Sequence, residues 1–389
     1  MYNFDGMMDR RRLNAIKATP QHTLQLDCIP LWIADMDFPA AKEIHNALMQ
    51  RMNIPNYGYT LCTDSYYEAV TGWMQRRHAW DVKHDWVLTT PGVIPAMAFA
   101  VRSIVKPGEK VMIQPPVYPQ FARMIQLNGA ELVTNPLKLV NGRYEIDFED
   151  FALKAQDPAL KLCFLCNPHN PVGRVWSRDD LKRLADICLE NDVIIFSDDI
   201  HHDFVYGPNP YIPIASLSEE VSQITITATA PSKTFSLASF KMGNIIIQNE
   251  ALRKAYNVAI NSVGCTSLDV GAIEATIAGY TYGEQWLQAV IQYLEQNNAL
   301  IDSYIAAKMP MVKTVALEGT YLKWLDFRAL GMNNSELESW SLTQAKVWLS
   351  EGYTFGVEGS GFKRLNMASS RSVIQEALER MERAIHALS

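Results

Sequence analysis

The chain has 389 residues, of which 48% are hydrophobic and 20% charged, a composition typical of folded proteins and unlike disordered or collagen-like chains. Its 35 Lys and Arg against 42 Asp and Glu give a net charge of −7, so we expect no nucleic-acid partner. No apolar run reaches the roughly 18 residues that cross a bilayer, and the first residues lack a signal-peptide pattern, so we expect no membrane contact and a cytoplasmic location.

In chain order, the pattern of apolar residues predicts alternating helices and strands. Residues 1–30 have little periodicity and are predicted to form an arm, in which Arg10, Arg11 and Arg12 are solvated or contact a second subunit. Helical periods predict helices at 41–52, 65–78, 94–105, 118–127, 177–190, 249–260, 269–281, 284–308, 336–350 and 371–388. Short apolar or β-branched runs predict strands at 86–89, 110–114, 160–166, 193–197, 223–229, 244–248 and 321–327.

This alternation predicts an α/β fold with a large domain built on a doubly wound, mostly parallel sheet, and a smaller α+β domain. We predict that residues 1–45 form the arm and part of the small domain. Residues 46–284 are predicted to form the large domain, and residues 285–389 the rest of the small one. In such sheets, ligands bind beyond the carboxyl ends of the strands, so the residues after each predicted strand are the candidates for a site.

Cysteine and histidine patterns were tested for metal binding. Cys163 and Cys166 form a CxxC pair, but no second pair accompanies it, and both lie in a predicted buried strand. His201 and His202 adjoin acidic residues, which leaves a metal site open, although their place after a strand favours another role. We therefore predict no metal and no disulfide framework.

Four predicted strand ends carry residues with a chemical use. Gly92 precedes a helix start whose amides suit a phosphate, and Asn170 lies in a turn from which it can donate a hydrogen bond. Asp198 ends a buried strand, where a carboxylate needs a cation. Lys233 follows an apolar strand, where its amine can become a nucleophile. Taken singly, each residue also has an ordinary structural explanation. These explanations are a strand–helix turn for Gly92, a surface loop for Asn170, an ion pair for Asp198 and a solvated surface side chain for Lys233.

Jointly, the four match the needs of pyridoxal phosphate: a phosphate site, a partner for the ring oxygen, an anion for the ring nitrogen and a lysine for the aldehyde. No P-loop or Rossmann glycine pattern follows a strand. The sequence resembles the class I/II aminotransferase family of fold-type I pyridoxal-phosphate enzymes, and within it the carbon–sulfur lyase branch with its bacterial cystathionine β-lyases. The matching stretches are LWIADMDFP (31–39), NYGYT (56–60), TPGVIPAM (90–97), PPVYPQF (115–121), NPHNPVGRVW (167–176), SDDIHHDFVYG (197–207), APSKTFSLASF (230–240), GTYLKWLDFR (319–328) and EGSGFKRLNMA (358–368).

The resemblance implies a role for each residue around the cofactor ring. Lys233 is expected to bond covalently to the cofactor aldehyde, and Asp198 to pair with the ring nitrogen. Asn170 is expected to bond to the ring oxygen, near which His201 takes a position that is a tyrosine in many relatives. Tyr118 is expected to stack on the ring.

For the cofactor phosphate, the resemblance implies binding by the amides of Gly92, Val93 and Ile94. Two positions depart from the family pattern. Ala230 stands where a serine or threonine is common, so Ser232 or Thr229 would have to replace it. Lys241 stands where aminotransferases usually have an arginine, which keeps the charge but loses the planar fork.

For the substrate and the assembly, the resemblance implies that Arg364 clamps the substrate carboxylate and that Ala34 or Asp35 lines that site. Tyr59 is expected to reach the phosphate of a neighbouring subunit, which implies a homodimer with active sites at the interface. Tyr321 is expected to pack within the small domain.

Three functions remain open from the sequence. The first is a lyase that eliminates a thiol from L-cystathionine or a related sulfur amino acid and leaves pyruvate and ammonia. The second is an aminotransferase that acts on an amino acid and a 2-oxo acid, because the early steps are shared. The third is a catalytically weak binding or regulatory protein, which the intact set of Lys233, Asp198 and Arg364 disfavours.

Overall fold

The computed structural model describes residues 2–6, 8, 10–18, 27–207, 209–265 and 267–388. Its strands are β1 (Ile29–Pro30), β2 (Val87–Thr90), β3 (Lys110–Ile113), β4 (Glu131–Thr134), β5 (Lys138–Val140), β6 (Arg143–Glu145), β7 (Leu160–Cys166), β8 (Ile194–Asp198), β9 (Thr225–Thr229), β10 (Gly243–Ile246), β11 (Lys313–Thr314), β12 (Leu322–Asp326), β13 (Val347–Trp348), β14 (Ser350–Glu351) and β15 (Phe362–Asn366).

Several helices begin at a residue whose side chain caps the first turn. Ser177 caps the helix at 178–190 in a capping box with Asp180, as its sequence predicts. The helices are α1 (Lys42–Met52), α2 (Asp64–His78), α3 (Val93–Ile104), α4 (Gln120–Leu127), α5 (Phe148–Ala155), α6 (Arg178–Glu190), α7 (Glu219–Gln223), α8 (Pro231–Thr234), α9 (Glu250–Asn261), α10 (Val270–Tyr282), α11 (Glu284–Lys308), α12 (Asn334–Thr343) and α13 (Arg371–His386).

A seven-stranded sheet in the order β2-β10-β9-β8-β7-β3-β4 forms the centre of the molecule. Only β10 within it runs antiparallel to its neighbours, and the pairs from β9 to β4 are parallel. The side chains of β7 alternate between two cores, with Leu162 and Phe164 on one face and Cys163 and Leu165 on the other. Burial on both faces is the mark of a doubly wound sheet, and this part of the fold prediction is confirmed.

The smaller region is built on a four-stranded sheet in the order β11-β12-β15-β14, and α11 packs against α13 beside it. The pairs of this sheet are antiparallel, which confirms the smaller α+β unit. β1 pairs with β13, so the chain just after the arm joins this region. That pairing supports our proposed assignment of residues 1–45, and the boundaries at residues 45 and 284 stay predictions.

The structure differs from the predicted elements in several places. The helix predicted at 336–350 is wrong beyond Thr343, because the chain turns at Lys346 (φ 52°) and then forms β13 and β14. Their pairing with distant β1 and β15 overrides a local helical period. The sequence prediction also missed several short elements, including edge strand β4, the paired strands β5 and β6, and helix α5. None of the helices in the described ranges is both long enough and apolar enough to span a membrane.

Candidate active site

A cavity of about 500 Å³ lies at the carboxyl ends of the central strands, where β15 of the smaller sheet approaches them. It brings together the predicted site residues except Asp35 and Tyr59, the latter being fully exposed on the surface. The predicted residues that line it are Ala34, Gly92, Val93, Ile94, Tyr118, Asn170, Asp198, His201, Ser232, Lys233, Lys241 and Arg364.

The lining also includes residues that sequence reasoning missed. Most are apolar neighbours of predicted residues and carry no chemical signal of their own, so their place in the lining is a consequence of the fold. They are Ile33, Pro91, Pro95, Met97, Cys166, Ile200, Ala238, Phe240 and Met242.

Lys233 belongs to α8, the single turn that follows β9, and its side chain reaches the cavity. The Nζ atom donates a hydrogen bond of 2.6 Å to the backbone oxygen of Ala34. Burial lowers the pKa of Lys233 to about 8; the charge of Asp35 opposes this shift and that of Arg364 adds to it. An amine with this pKa has a substantial neutral fraction near pH 8, which is the form that acts as a nucleophile or base.

Asp198 is the last residue of β8, and its side chain is buried. Burial raises the pKa of Asp198 to about 7, although the hydrogen bond from the Ile200 amide, 3.2 Å long, lowers it. A cation in the cavity would favour the ionised carboxylate. The next residue, Asp199, points away from the cavity and accepts hydrogen bonds from Ser197 and Tyr211, each at 2.5 Å. Thus the two adjacent carboxylates face different surroundings, because successive side chains of a strand point to opposite faces.

Arg364 on β15 is held by three hydrogen bonds at the edge of the cavity. Its Nη1 donates to Oδ1 of Asn170 at 2.8 Å, and its Nη2 donates to the Trp32 carbonyl at 2.9 Å and to the Ser350 hydroxyl at 3.1 Å. Its Nε is buried and has no hydrogen-bond partner in the described ranges. Because Arg364 occupies the amide oxygen of Asn170, the Nδ2 group of Asn170 is left to donate into the cavity.

The first turn of α3 offers backbone amides to the same cavity. Gly92 precedes this helix with φ 106°, a conformation that favours glycine. The Gly92 amide donates to the Thr90 carbonyl at 2.8 Å, so it is not available to a phosphate as predicted. The amides of Val93 and Ile94 have no hydrogen-bond acceptor among the described residues. They lie in the first turn of α3, and the N-terminal end of a helix favours an anion.

Two further side chains stand at this end of the cavity. Of the two hydroxyls that could replace the residue missing at Ala230, Ser232 lines the cavity, whereas Thr229 is buried outside its lining. Lys241 also lines the cavity and supplies a positive charge. A hydroxyl, an ammonium group and two backbone amides are together a suitable set of donors for a phosphate.

His201 and Tyr321 meet beside Lys233. Burial and the charges of Lys233 and Arg364 lower the pKa of His201 well below its usual range, so the ring is neutral. Its Nδ1 is buried without a hydrogen-bond partner in the described part of the chain. The ring of Tyr321 lies 5.5 Å from that of His201, and its hydroxyl donates to the Ala34 carbonyl at 3.2 Å. Tyr321 therefore contacts the active-site segment, beyond the packing role that the sequence predicts.

Asp35 does not line the cavity, because Arg10 holds its carboxylate in an ion pair. Arg10 also pairs with Asp37 at 3.2 Å and is 18% exposed, so it is not a solvated side chain, and its contact with a second subunit stays a prediction. The side chains of Arg11 and Arg12 lie outside the described residues. The arm thus fixes the segment that carries Ala34.

Nearly the whole chain is similar to known proteins. The family model described as aminotransferase class I and II matches residues 27–381. The chain is 39% identical over 385 residues to cystathionine beta-lyase PatB from Bacillus subtilis, which covers 98% of this chain and 100% of the relative. A pyridoxal-phosphate-bound putative aminotransferase from Clostridium difficile is 41% identical with a TM-score of 0.96, covering 99% of this chain and 100% of that one. Cystalysin from Treponema denticola, which contains a pyridoxal 5'-phosphate cofactor, is 35% identical with a TM-score of 0.97 over 100% of both chains.

Proposed function

Because the chain belongs to the aminotransferase class I and II family, we propose that it is a pyridoxal-phosphate-dependent carbon–sulfur lyase. It cleaves L-cystathionine or a related sulfur amino acid into a thiol, pyruvate and ammonia. The observation that carries this proposal is the convergence of the buried amine of Lys233, the buried carboxylate of Asp198 and the guanidinium of Arg364 in one cavity. The similarity to a cystathionine beta-lyase along the full chain supports this choice of reaction.

The residues of the cavity fit pyridoxal phosphate. The volume of the cavity, about 500 Å³, lies in the range of small-molecule sites. The amides of Val93 and Ile94, which have no acceptor within the described part of the chain, would hold the phosphate together with Ser232 and Lys241. The Nδ1 of His201 likewise has no partner among the described residues and would be available to the ring oxygen.

Three other residues that line the cavity would contact the ring of the cofactor. Asp198 would hold the ring nitrogen in its protonated form, and the Nδ2 group of Asn170 would donate to the ring oxygen. Tyr118 lines the cavity and would stack on the ring. When bound, the cofactor supplies an electron sink for the negative charge that develops on the substrate Cα.

The chain's own residues then perform binding and proton transfer. The guanidinium of Arg364, which lines the cavity, would bind the substrate carboxylate and fix the orientation of the Cα–H bond. The neutral amine of Lys233 would remove the Cα proton as general base. The Cβ–S bond then breaks and its electron pair leaves with the thiolate. Hydrolysis of the remaining three-carbon fragment gives pyruvate and ammonia.

An aminotransferase is the second candidate, favoured by the name of the similar Clostridium difficile structure. Lys233 would remove the same proton, and the two reactions part at the next step, where Cβ either loses its substituent or keeps it. In the second case the amino group passes to a 2-oxo acid.

We further propose that the enzyme is a cytoplasmic homodimer that acts without a membrane or nucleic acid. The segment between α1 and α2 exposes four large apolar side chains in eight residues. Their exposed fractions are 57% for Ile54, 62% for Tyr57, 109% for Tyr59 and 78% for Leu61. Such a cluster favours contact with another protein surface, and Tyr59 would reach the phosphate site of the partner.

A product assay tests the proposed reaction. The purified protein with bound cofactor is incubated with L-cystathionine, with L-cystine, and with alanine plus a 2-oxo acid. We expect pyruvate and ammonia from a sulfur amino acid in the absence of any 2-oxo acid. Amino transfer without elimination would overturn the lyase in favour of the aminotransferase, and absence of both activities with bound cofactor would reject both.

A further inference from the structure

A buried carboxylate lies behind the turn that carries Lys233. Asp203 follows β8 by five residues, and its side chain is 0% exposed. Three donors from the last turns of α2 reach it: Nε1 of Trp73 at 3.2 Å, Nε of Arg77 at 3.1 Å and Nε2 of His78 at 3.1 Å. The fourth donor is the hydroxyl of Thr234, at 2.6 Å.

Asp203 is an ionised anchor in this arrangement. Burial alone would raise the pKa of Asp203, but the adjacent His202, His78 and Arg77 hold it well below the usual range. Arg77 is the permanent cation among these groups. The ligand atoms of His78, His202 and Asp203 lie within 4.8 Å of one another. However, both oxygens of Asp203 already accept hydrogen bonds, and Arg77 would repel a metal ion, so the cluster is suited to anchoring rather than to metal binding.

Thr234 connects this anchor to the proposed catalytic amine. It is the residue after Lys233 in α8, a helix of only four residues, and it is completely buried. The side chain of Lys233 instead reaches Ala34 and the cavity. A helix this short has few internal hydrogen bonds, so its orientation depends on what its side chains contact.

We propose that Asp203 is a positioning residue: by holding the Thr234 hydroxyl, it fixes the α8 turn so that Lys233 faces the cofactor and the substrate Cα. This inference rests on the proposed role of Lys233. Proton transfer is sensitive to displacement of the base, and an error of about 1 Å can cost about a hundredfold in rate. Orientation of the covalently held cofactor depends on the same turn.

The test removes the Thr234 hydroxyl and leaves Asp203 in place, because loss of the carboxylate would also leave the donors of Trp73, Arg77 and His78 without this buried acceptor. Thr234→Val removes the hydroxyl at nearly constant volume, and Thr234→Ser restores it. Trp73→Phe is the matched control, since it removes a different donor to Asp203 and leaves the Thr234 hydroxyl in place. Each holoenzyme is measured for melting temperature, for kcat and KM, and for visible circular dichroism per mole of bound cofactor.

We expect Thr234→Val to lower kcat about tenfold or more with KM changed less than about threefold, and to reduce the visible circular dichroism. We expect Thr234→Ser to have the kcat and the visible circular dichroism of the wild type, and Trp73→Phe to lower only the melting temperature. The inference is overturned if Thr234→Val changes only the melting temperature, or if Trp73→Phe changes kcat and the dichroism equally. A wild-type protein that binds no cofactor would instead refute the proposed function, so the two failures are distinguishable.

Discussion

The cavity has two walls that arise in different ways. The strand-end wall consists of Gly92, Asn170, Asp198 and Lys233, each at or within a few residues of the end of its own strand. The small-sheet wall consists of Ala34 and Arg364, with Tyr321 bonded to the Ala34 carbonyl. This wall is joined to the first by contacts between residues far apart in sequence. Arg364 and Asn170 are 194 residues apart in sequence, and Lys233 and Ala34 are 199 apart. The comparison shows that chemistry encoded locally becomes a site only when a second, non-local wall meets it.

The strand-end wall is tested most severely by Lys233→Ala. We expect turnover to fall by at least about a thousandfold, because the proposed base and cofactor attachment are both lost. Pyruvate release from L-cystathionine measures this loss. Lys254→Ala, at a lysine whose side chain is 74% exposed, should leave turnover unchanged. Retention of more than a tenth of the wild-type rate by Lys233→Ala would exclude this wall as the centre of catalysis.

The buried carboxylate of the same wall predicts a pH dependence of stability. In the cofactor-free protein, burial raises the pKa of Asp198 from 3.8 to about 7, so between these values the folded chain retains a proton that the unfolded chain releases. Stability from this group therefore falls as pH rises through that window, by roughly 4 kcal/mol in full. The Asp198→Asn variant does not lose stability in this way, because an asparagine side chain does not ionise.

Urea unfolding of both cofactor-free proteins at pH 5 and pH 8 measures the effect. The stability of Asp198→Asn relative to wild type should rise between the two values by roughly 2 to 3 kcal/mol. Asp186→Asn, at a side chain that is 47% exposed, serves as the control and should show no such change. If the difference in stability between Asp198→Asn and wild type were the same at pH 5 and pH 8, the pKa of Asp198 would not be raised in the folded protein.

The small-sheet wall is tested by Arg364→Lys. The variant keeps the positive charge but loses the planar fork that bonds to Asn170, Trp32 and Ser350. We expect KM for the amino acid to rise by about 10- to 100-fold, with a smaller effect on kcat. Steady-state kinetics checks this, and Arg328→Ala, at an arginine that is 56% exposed, is the control. An unchanged KM would mean that the substrate carboxylate binds elsewhere.

The smallest effect is expected from the arm that supports this wall. Arg10→Ala removes the ion pairs to Asp35 and Asp37, which hold the segment carrying Ala34. We expect kcat/KM to fall by about three- to tenfold, since a partly buried ion pair contributes on the order of 1 kcal/mol. The same kinetic assay measures it, with Arg328→Ala again as control. A value equal to wild type would show that the segment is held without the arm.

Sequence reasoning was most reliable where local signals agree. The strand from Leu160 to Cys166 was predicted at its observed bounds, because a run apolar on both faces is typical of a buried parallel strand. The capping box of Ser177 fixed the start of α6 for the same kind of local reason. By contrast, β13 and β14 form where a helix was predicted, since strand pairing depends on partners far away in sequence.

By itself, the sequence determined the main helices and strands of the large domain and the chemical identity of the strand-end wall, because a buried strand and the polar residue after it are adjacent in the chain. Tertiary structure alone decided that Arg10 is paired with Asp35, that Tyr321 reaches Ala34 and that Asp203 holds Thr234. Each of these contacts joins segments that meet only when the sheets pack, so no local pattern can specify them.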